Sequence, residues 1–81
     1  MKLPRDLAGA ELATRLNRYG YSVTRQTGSH LRLTSSSMGT QHHISIPGHS
    51  PLKVGTLGAI LLDVAVYLEM DRQALAEQLF V

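Results

Sequence analysis

Apolar and polar residues alternate in three short segments between residues 21 and 46, and this pattern constrains the fold more than any other feature of the chain. Residues 21–26, 29–34 and 42–46 each predict a β-strand, because successive strand side chains point to opposite faces. Thr27-Gly28 separates the first two segments and predicts a tight turn. The first two strands therefore form a hairpin, and the third follows a polar loop rich in Ser and Gly.

The two faces of the predicted sheet differ in chemistry. The alternation turns four apolar residues toward one face: Leu31, Leu33, Ile44 and Ile46. It turns five polar residues toward the other: His30, Arg32, Thr34, His43 and Ser45. In the first segment the apolar residues alternate with Ser22, Thr24 and Gln26. One face therefore suits a core, whereas the other is rich in hydrogen-bond donors and open to solvent or a ligand.

A helical pattern precedes the strands. Leu12, Leu16 and Tyr19 have the spacing i, i+4, i+7, which predicts one apolar helix face. Asp6 is the better candidate for the N-cap, because Ala8 has no side-chain acceptor. Gly20 is expected to end the helix in a left-handed conformation, after which the chain folds back at the next residue.

Helical patterns also follow the strands. A wide apolar stripe predicts a second helix and consists of Leu57, Ile60, Leu61, Val64, Ala65 and Leu68. Asp71 is a plausible cap for a short last helix that carries Leu75, Leu79 and Phe80. The order α-β-β-β-α predicts an α+β fold, in which helices cover one face of a three-stranded antiparallel sheet.

Composition narrows the class of protein. The 81 residues include no Cys, which excludes disulfides, thiolate catalysis and Cys-based zinc sites. No apolar run approaches the ~20 residues of a membrane span, and residues 1–6 lack the apolar core of a signal peptide. We therefore expect a single domain over residues 1–81, cytoplasmic and without a membrane partner.

Charge is unevenly distributed along the chain. Residues 1–62 hold seven basic and two acidic side chains, whereas residues 63–81 hold one basic and four acidic ones. The net charge of +2 thus combines a basic body with an acidic end. A basic body is typical of a protein with a polyanionic partner, and an uneven but merely solvated surface is the alternative.

Four histidines are the groups best suited to proton transfer near neutral pH. His30 stands out because it follows a turn, is out of phase with the core leucines and shares its face with Arg32. A neighbouring guanidinium can hold a phosphate group while the imidazole accepts a proton. The alternative is an ordinary exposed residue of a strand.

The other histidines do not predict a metal site. His42 and His43 are adjacent in a strand, so their side chains diverge and cannot readily bind one ion. We expect His42 to be a partly buried structural residue and His43 to face the same side as His30. Ser29 and His30 diverge for the same reason, which argues against a Ser-His catalytic pair.

Two short segments of the chain resemble backbone segments that bind anions. Gly28-Ser29 and Gly55-Thr56 each offer backbone N–H groups at a turn or at a helix start, and Lys53 lies just before the second. Neither piece matches the phosphate-binding loop of nucleotide folds.

Several motifs occur together in one order: Leu3-Pro4-Arg5-Asp6-Leu7, Glu11-Leu12, Tyr19-Gly20-Tyr21, Arg25-Gln26-Thr27-Gly28-Ser29-His30, Ile46-Pro47-Gly48-His49 and Lys53-Val54-Gly55-Thr56-Leu57-Gly58-Ala59-Ile60-Leu61. In this combination the chain resembles the HicA (YcfA-like) toxin family of bacterial toxin–antitoxin modules. The resemblance covers roughly residues 3–62.

The resemblance implies a fold similar to the double-stranded-RNA-binding domain. It also implies an mRNA interferase, a metal-independent endoribonuclease without a cofactor, whose essential histidine corresponds to His30. A cognate HicB antitoxin that covers the site is implied as the protein partner. Contacts to RNA are our own expectation from the residues, and we assign them to Arg32, Lys53, His43, His49, Gly28 and Ser29.

Three functional hypotheses stay open on the sequence. The chain is a toxin endoribonuclease that uses His30, a non-catalytic RNA-binding or adaptor module on the same fold, or an interaction protein whose basic face binds an acidic partner.

Overall fold

A computed structural model describes residues 3–48 and 51–80. Its elements in chain order are α1 (Gly9–Leu16), a 3₁₀ turn (Asn17–Tyr19), β1 (Ser22–Thr27), β2 (His30–Ser35), β3 (His42–Pro47), α2 (Val54–Leu68) and α3 (Arg72–Phe80). The strands form one antiparallel sheet in the order β1-β2-β3. The predicted α+β class, with three antiparallel strands between helices, is confirmed.

Helix α1 begins without a side-chain cap. Ala8 is the N-cap residue, and its carbonyl accepts hydrogen bonds from the amides of Glu11 and Leu12 at 3.1 Å each. The prediction that Asp6 caps the helix is wrong. The preceding segment is held elsewhere, because the carbonyl of Leu7 accepts the amide of Leu52 at 2.7 Å. This pairing leaves Asp6 three residues before the helix, too far back to serve as its N-cap.

The end of α1 follows the prediction. A 3₁₀ turn tightens the last residues, and Gly20 takes the left-handed conformation with φ of 84°. The chain then reverses, since the amide of Tyr21 donates to the carbonyl of Leu16 at 3.3 Å. Tyr21 thereby enters the core, where only 1% of its surface is exposed.

The hairpin between β1 and β2 turns at Gly28-Ser29, one residue later than predicted. Gly28 has a φ of 57°, as the first loop position of a type II′ turn requires. The carbonyl of Ser29 accepts a hydrogen bond from the amide of Gly48. The turn is therefore tied to the end of β3, and β2 begins at His30.

Strand β1 departs from the predicted alternation. Val23 pairs with Leu33, but the next pair joins Arg25 to Arg32, so Thr24 is an extra residue in the ladder. Such a β-bulge reverses the phase of the residues that follow it. Arg25 consequently shares the face of Arg32, and the strict alternation predicted for residues 21–26 is wrong. Val23 is also 49% exposed, as every residue of β1 is exposed.

The helices cover one face of the sheet and enclose the core. The apolar stripe of α2 is confirmed, with Leu57, Leu61, Val64 and Ala65 buried. The buried residues of the sheet and the other helices include Leu7, Leu12, Leu16, Tyr21, Leu33, Ile44, Ile46, Leu75 and Leu79. In the described part of the chain, no helix combines the length and apolarity needed to cross a bilayer.

Helix α3 packs on α2 and is capped at both ends. The carboxylate of Asp71 accepts the amide of Ala74 at 3.2 Å, as the sequence predicts for an N-cap. At the other end, Arg15 donates to the carbonyl of Leu79 at 2.6 Å. Arg18 donates to the carbonyl of Gln78 at 2.7 Å. Two arginines of the basic body thus stabilise a helix C-terminus.

Candidate functional site

The sheet face that points away from the helices, here called the outer face, carries polar side chains except for Pro47, which pairs with His30. They are Ser22, Thr24, Arg25, Thr27, His30, Arg32, Thr34, His43 and Ser45. No Asp or Glu occurs between residues 12 and 62, so all three strands lack carboxylates. The outer face is therefore positively charged and rich in donors.

A shallow pocket of about 290 Å³ lies at the hairpin end of the outer face. Its lining residues are Arg25, Thr27, His30, Arg32 and Ser45. Strand pairing builds it from two adjacent rows: one joins Thr27 to His30, and the other joins Arg25 to Arg32 and Ser45. The side chains of paired residues lie next to each other on one face, so the exposed imidazole of His30 lies beside a row that carries two guanidinium groups.

The electrostatics of this pocket favour an anion. Arg25 stands directly opposite Arg32, and like charges in that position destabilise a sheet. Within residues 3–48 and 51–80 the only ion pair is that of His42 with Asp63, so neither arginine is neutralised by a carboxylate. A phosphate group between the two guanidinium groups would relieve their repulsion and accept their hydrogen bonds.

The structure brings some predicted site residues together and separates others. Arg32 lines the pocket with His30, and Gly28 forms the adjoining turn. Ser29 lines a separate pocket with Gln26 and Leu31, which confirms that it diverges from His30. Lys53 is the exposed N-cap residue of α2 and does not line the pocket of His30. Gly55-Thr56 form the exposed first turn of α2, and His49 lies outside the described residues.

His43 is exposed on the outer face, farther along the sheet from the hairpin than His30. It pairs with Thr34, and its Nδ1 lies 2.8 Å from the hydroxyl oxygen of that threonine. The hydroxyl of Thr34 lies 2.9 Å from that of Thr24. The bulge residue Thr24 therefore belongs to a hydrogen-bonded chain that ends at the imidazole.

His42 points to the opposite side and is a structural residue, as the sequence predicts. Its Nδ1 lies 2.6 Å from the Tyr21 hydroxyl, and its Nε2 lies 3.1 Å from Asp63 Oδ1. The ring stacks on Tyr67 with centroids 4.7 Å apart. Burial raises the pKa of Tyr21, and the nearby Tyr67 and Asp63 raise it further.

Among the described residues, no group of three or more potential metal ligands occurs.

Sequence reasoning missed three members of the pocket as site residues: Arg25, Thr27 and Ser45. Ser45 was placed on the correct face but was given no role. Strict alternation puts Arg25 out of phase with Ser22, Thr24 and Gln26, and a bulge leaves no mark in the apolar pattern of a strand that is exposed throughout. The absence of any acidic residue near Arg25 was the available signal.

Comparison with known proteins agrees with this picture. A family model described as "HicA toxin of bacterial toxin-antitoxin" matches residues 9–66 of the chain. Searches of curated proteins and of solved structures gave no match. The matched range contains the whole sheet, α1 and most of α2. The chain therefore belongs to the HicA toxin family of bacterial toxin–antitoxin systems.

Proposed function

We propose that this toxin is a metal-independent endoribonuclease that cleaves mRNA, with His30 as its general acid–base residue. The observation that supports the proposal best is the position of His30 in one pocket with two arginines of the neighbouring row, which have no carboxylate partner in the described residues. Cleavage of RNA needs both a proton acceptor and groups that stabilise a negatively charged phosphate. The pocket offers both.

In the proposed reaction His30 accepts the proton of the ribose 2′-OH. The 2′-oxygen forms a bond to phosphorus, and the bond from phosphorus to the 5′-oxygen breaks. The products are a 2′,3′-cyclic phosphate and a 5′-hydroxyl, whose proton comes from water. Arg25 and Arg32 neutralise the charge that develops on the phosphate oxygens. The need for a 2′-OH makes the activity specific for RNA over DNA.

The toxin family implies an antitoxin partner, and we propose a HicB-like protein that covers the outer face. An acidic surface on that partner would complement the basic side chains of β1 and β2. The place of action would be the cytoplasm, where mRNA occurs.

The experiment compares wild type, His30→Ala and Gln26→Ala for cleavage of a purified transcript, with and without EDTA. We expect His30→Ala to lose about 10²–10⁴-fold in rate. Gln26 is an exposed residue of the same hairpin, but it lines a different pocket from that of His30. Its substitution should therefore leave the rate of RNA cleavage unchanged. Wild-type cleavage should persist in EDTA.

The second candidate function is a non-catalytic RNA-binding module, which the polar outer face also favours. In that case His30→Ala would bind RNA as wild type does, and neither protein would cleave it. Equal cleavage by wild type and His30→Ala would reject the catalytic role of His30.

A further inference from the structure

We infer that Thr24, Thr34 and His43 form a second phosphate-binding subsite, which makes the substrate an extended single strand of RNA lying across the outer face. The inference rests on the proposed function, because it takes the bond cleaved at His30 as its reference point. It concerns binding and not the chemical step.

The two sites lie on rows of polar side chains that follow one another along β2. Thr34 lies four residues beyond His30 in β2 and pairs with His43. At roughly 3.3 Å per residue, the two sites lie about 13 Å apart along the strand. The row of Arg25, Arg32 and Ser45 lies between them. An RNA strand bound at His30 and running along β2 therefore meets polar side chains on consecutive rows before it reaches His43.

The hydrogen-bonded chain of the subsite orients the imidazole of His43. The Thr24 hydroxyl lies 2.9 Å from the hydroxyl of Thr34 but 3.4 Å from the carbonyl of Arg32. Either hydroxyl can donate in the contact between Thr24 and Thr34, and the Thr24 hydroxyl can also donate to the carbonyl of Arg32. The Thr34 hydroxyl in turn lies 2.8 Å from Nδ1 of His43, which fixes the orientation of the ring.

The contact with Thr34 occupies Nδ1 and leaves Nε2 as the ring nitrogen that can meet a ligand. When Nδ1 accepts a hydrogen bond, the proton resides on Nε2. Among the described residues, no hydrogen bond or ion pair involves Nε2 of His43. Nε2 is therefore available to a group above the outer face, and it donates to an acceptor there when Thr34 donates to Nδ1. Because no carboxylate occurs on the sheet, a phosphate oxygen of the substrate is the acceptor that the face favours.

The test uses two RNA probes that share one cleaved bond, mapped first on a transcript. The long probe is a decamer, and the short probe is the dinucleotide that contains only the scissile phosphate. We expect His43→Ala to raise KM for the decamer by about 3–10-fold, the effect of losing one hydrogen bond, with kcat unchanged. The dinucleotide cannot reach His43, so its kcat/KM should be the same for both proteins.

Thr34→Val tests the orienting chain, and Thr14→Val is its matched control. Thr14 is an exposed threonine of α1, where its hydroxyl bonds only to the carbonyl of Ala10. Thr34→Val should weaken decamer binding in the same direction as His43→Ala, and Thr14→Val should not. If His43→Ala lowers kcat/KM equally for both probes, or for neither, the subsite is ruled out.

A binding measurement separates this inference from the proposed function. Fluorescence anisotropy of a labelled decamer is compared between His30→Ala and His30→Ala/His43→Ala. The double variant should bind about 3–10-fold more weakly. A labelled decamer with a 2′-deoxynucleotide at the cleaved bond lacks the nucleophile, so it keeps this difference readable even if full cleavage of RNA by His30→Ala rejects the catalytic proposal. Equal affinity of the two variants would reject the subsite alone.

Discussion

Single residues of the same type have different tasks in this protein, as the arginines show. Arg15 and Arg18 donate to carbonyls at the end of α3, where they contribute to the packing of the C-terminal helix. Arg25 and Arg32 are neighbours on adjacent strands and both line the pocket, where the described residues include no carboxylate partner. The basic character of residues 1–62 is therefore partly structural and partly available to a ligand.

At this scale we predict that Arg25→Ala lowers kcat/KM for RNA by about 10–100-fold, because charge-assisted hydrogen bonds to phosphate are lost. In a His30→Ala background, it should also reduce the slope of log Kd against log salt by about 0.7, the value for one phosphate contact of a single strand. Arg25→Lys should keep the salt slope and recover only part of the rate.

The control for Arg25→Ala is Arg18→Ala, which changes the net charge equally but removes a contact to α3. It should leave the salt slope unchanged. The same slope for His30→Ala and His30→Ala/Arg25→Ala would mean that Arg25 does not contact phosphate.

At the scale of the elements, close packing of α1 on the end of β3 depends on Gly9. A Cβ atom at this position would lie 1.9 Å from the carbonyl oxygen of Pro47 and 2.8 Å from a methyl carbon of Ile46. Both neighbours belong to β3. Helix α1 therefore approaches the strand more closely than any other residue at position 9 would allow.

We predict that Gly9→Ala destabilises the fold by about 1–3 kcal/mol, because the helix start must shift away from β3. Gly55→Ala is the matched control. Gly55 is in the first turn of α2, and a Cβ there would meet nothing within 4 Å. It should stabilise by about 0.4–1 kcal/mol through the lower entropy of the unfolded chain. Urea midpoints should move in opposite directions, and a lower midpoint for both would contradict the packing argument.

At the scale of the whole molecule, a cluster of polar aromatic residues joins the sheet to α2. The Tyr21 hydroxyl bonds to His42, which bonds to Asp63 of α2. Tyr67, also of α2, stacks on His42, accepts the amide of Met38 at 3.1 Å and donates to the carbonyl of Thr40. The loop before β3 is thereby held against the helix.

This cluster predicts a loss of stability at alkaline pH. The pKa of Tyr21 is raised in the folded protein, mainly by burial, whereas the pKa of a tyrosine in an unfolded chain is about 10. Above that pH the unfolded chain binds fewer protons than the folded one. The contribution of Tyr21 to stability is therefore complete below pH ~10 and falls as the pH rises further.

Urea midpoints measured from pH 7 to 11 check this prediction. Tyr21→Phe should be less stable than wild type at pH 7 by about 1 kcal/mol, because one buried hydrogen bond is lost. Its midpoint should then fall less steeply above pH 10. Tyr19→Phe is the control, because it leaves the contact between Tyr21 and His42 intact, and it should follow the steeper wild-type curve. Parallel curves for wild type and Tyr21→Phe would rule out this cause of alkaline destabilisation.

The sequence by itself determined the α+β class, the apolar stripe of α2, the left-handed end at Gly20 and the divergence of His42 from His43. Each depends on the local period of the chain or on the conformational preference of one residue, so neighbouring residues suffice to predict it. The catalytic role of His30 remains a proposal that the sequence raised and the site supports.

Only the tertiary structure decided which residues surround His30. Arg25 reaches the pocket because Thr24 bulges out of β1, and strand pairing sets the position of that bulge. Asp6 is not the cap of α1 because the segment before the helix is held by Leu52, 45 residues later than Leu7. Such outcomes depend on contacts between distant segments, and the periodicity of one segment carries no information about its partner in space.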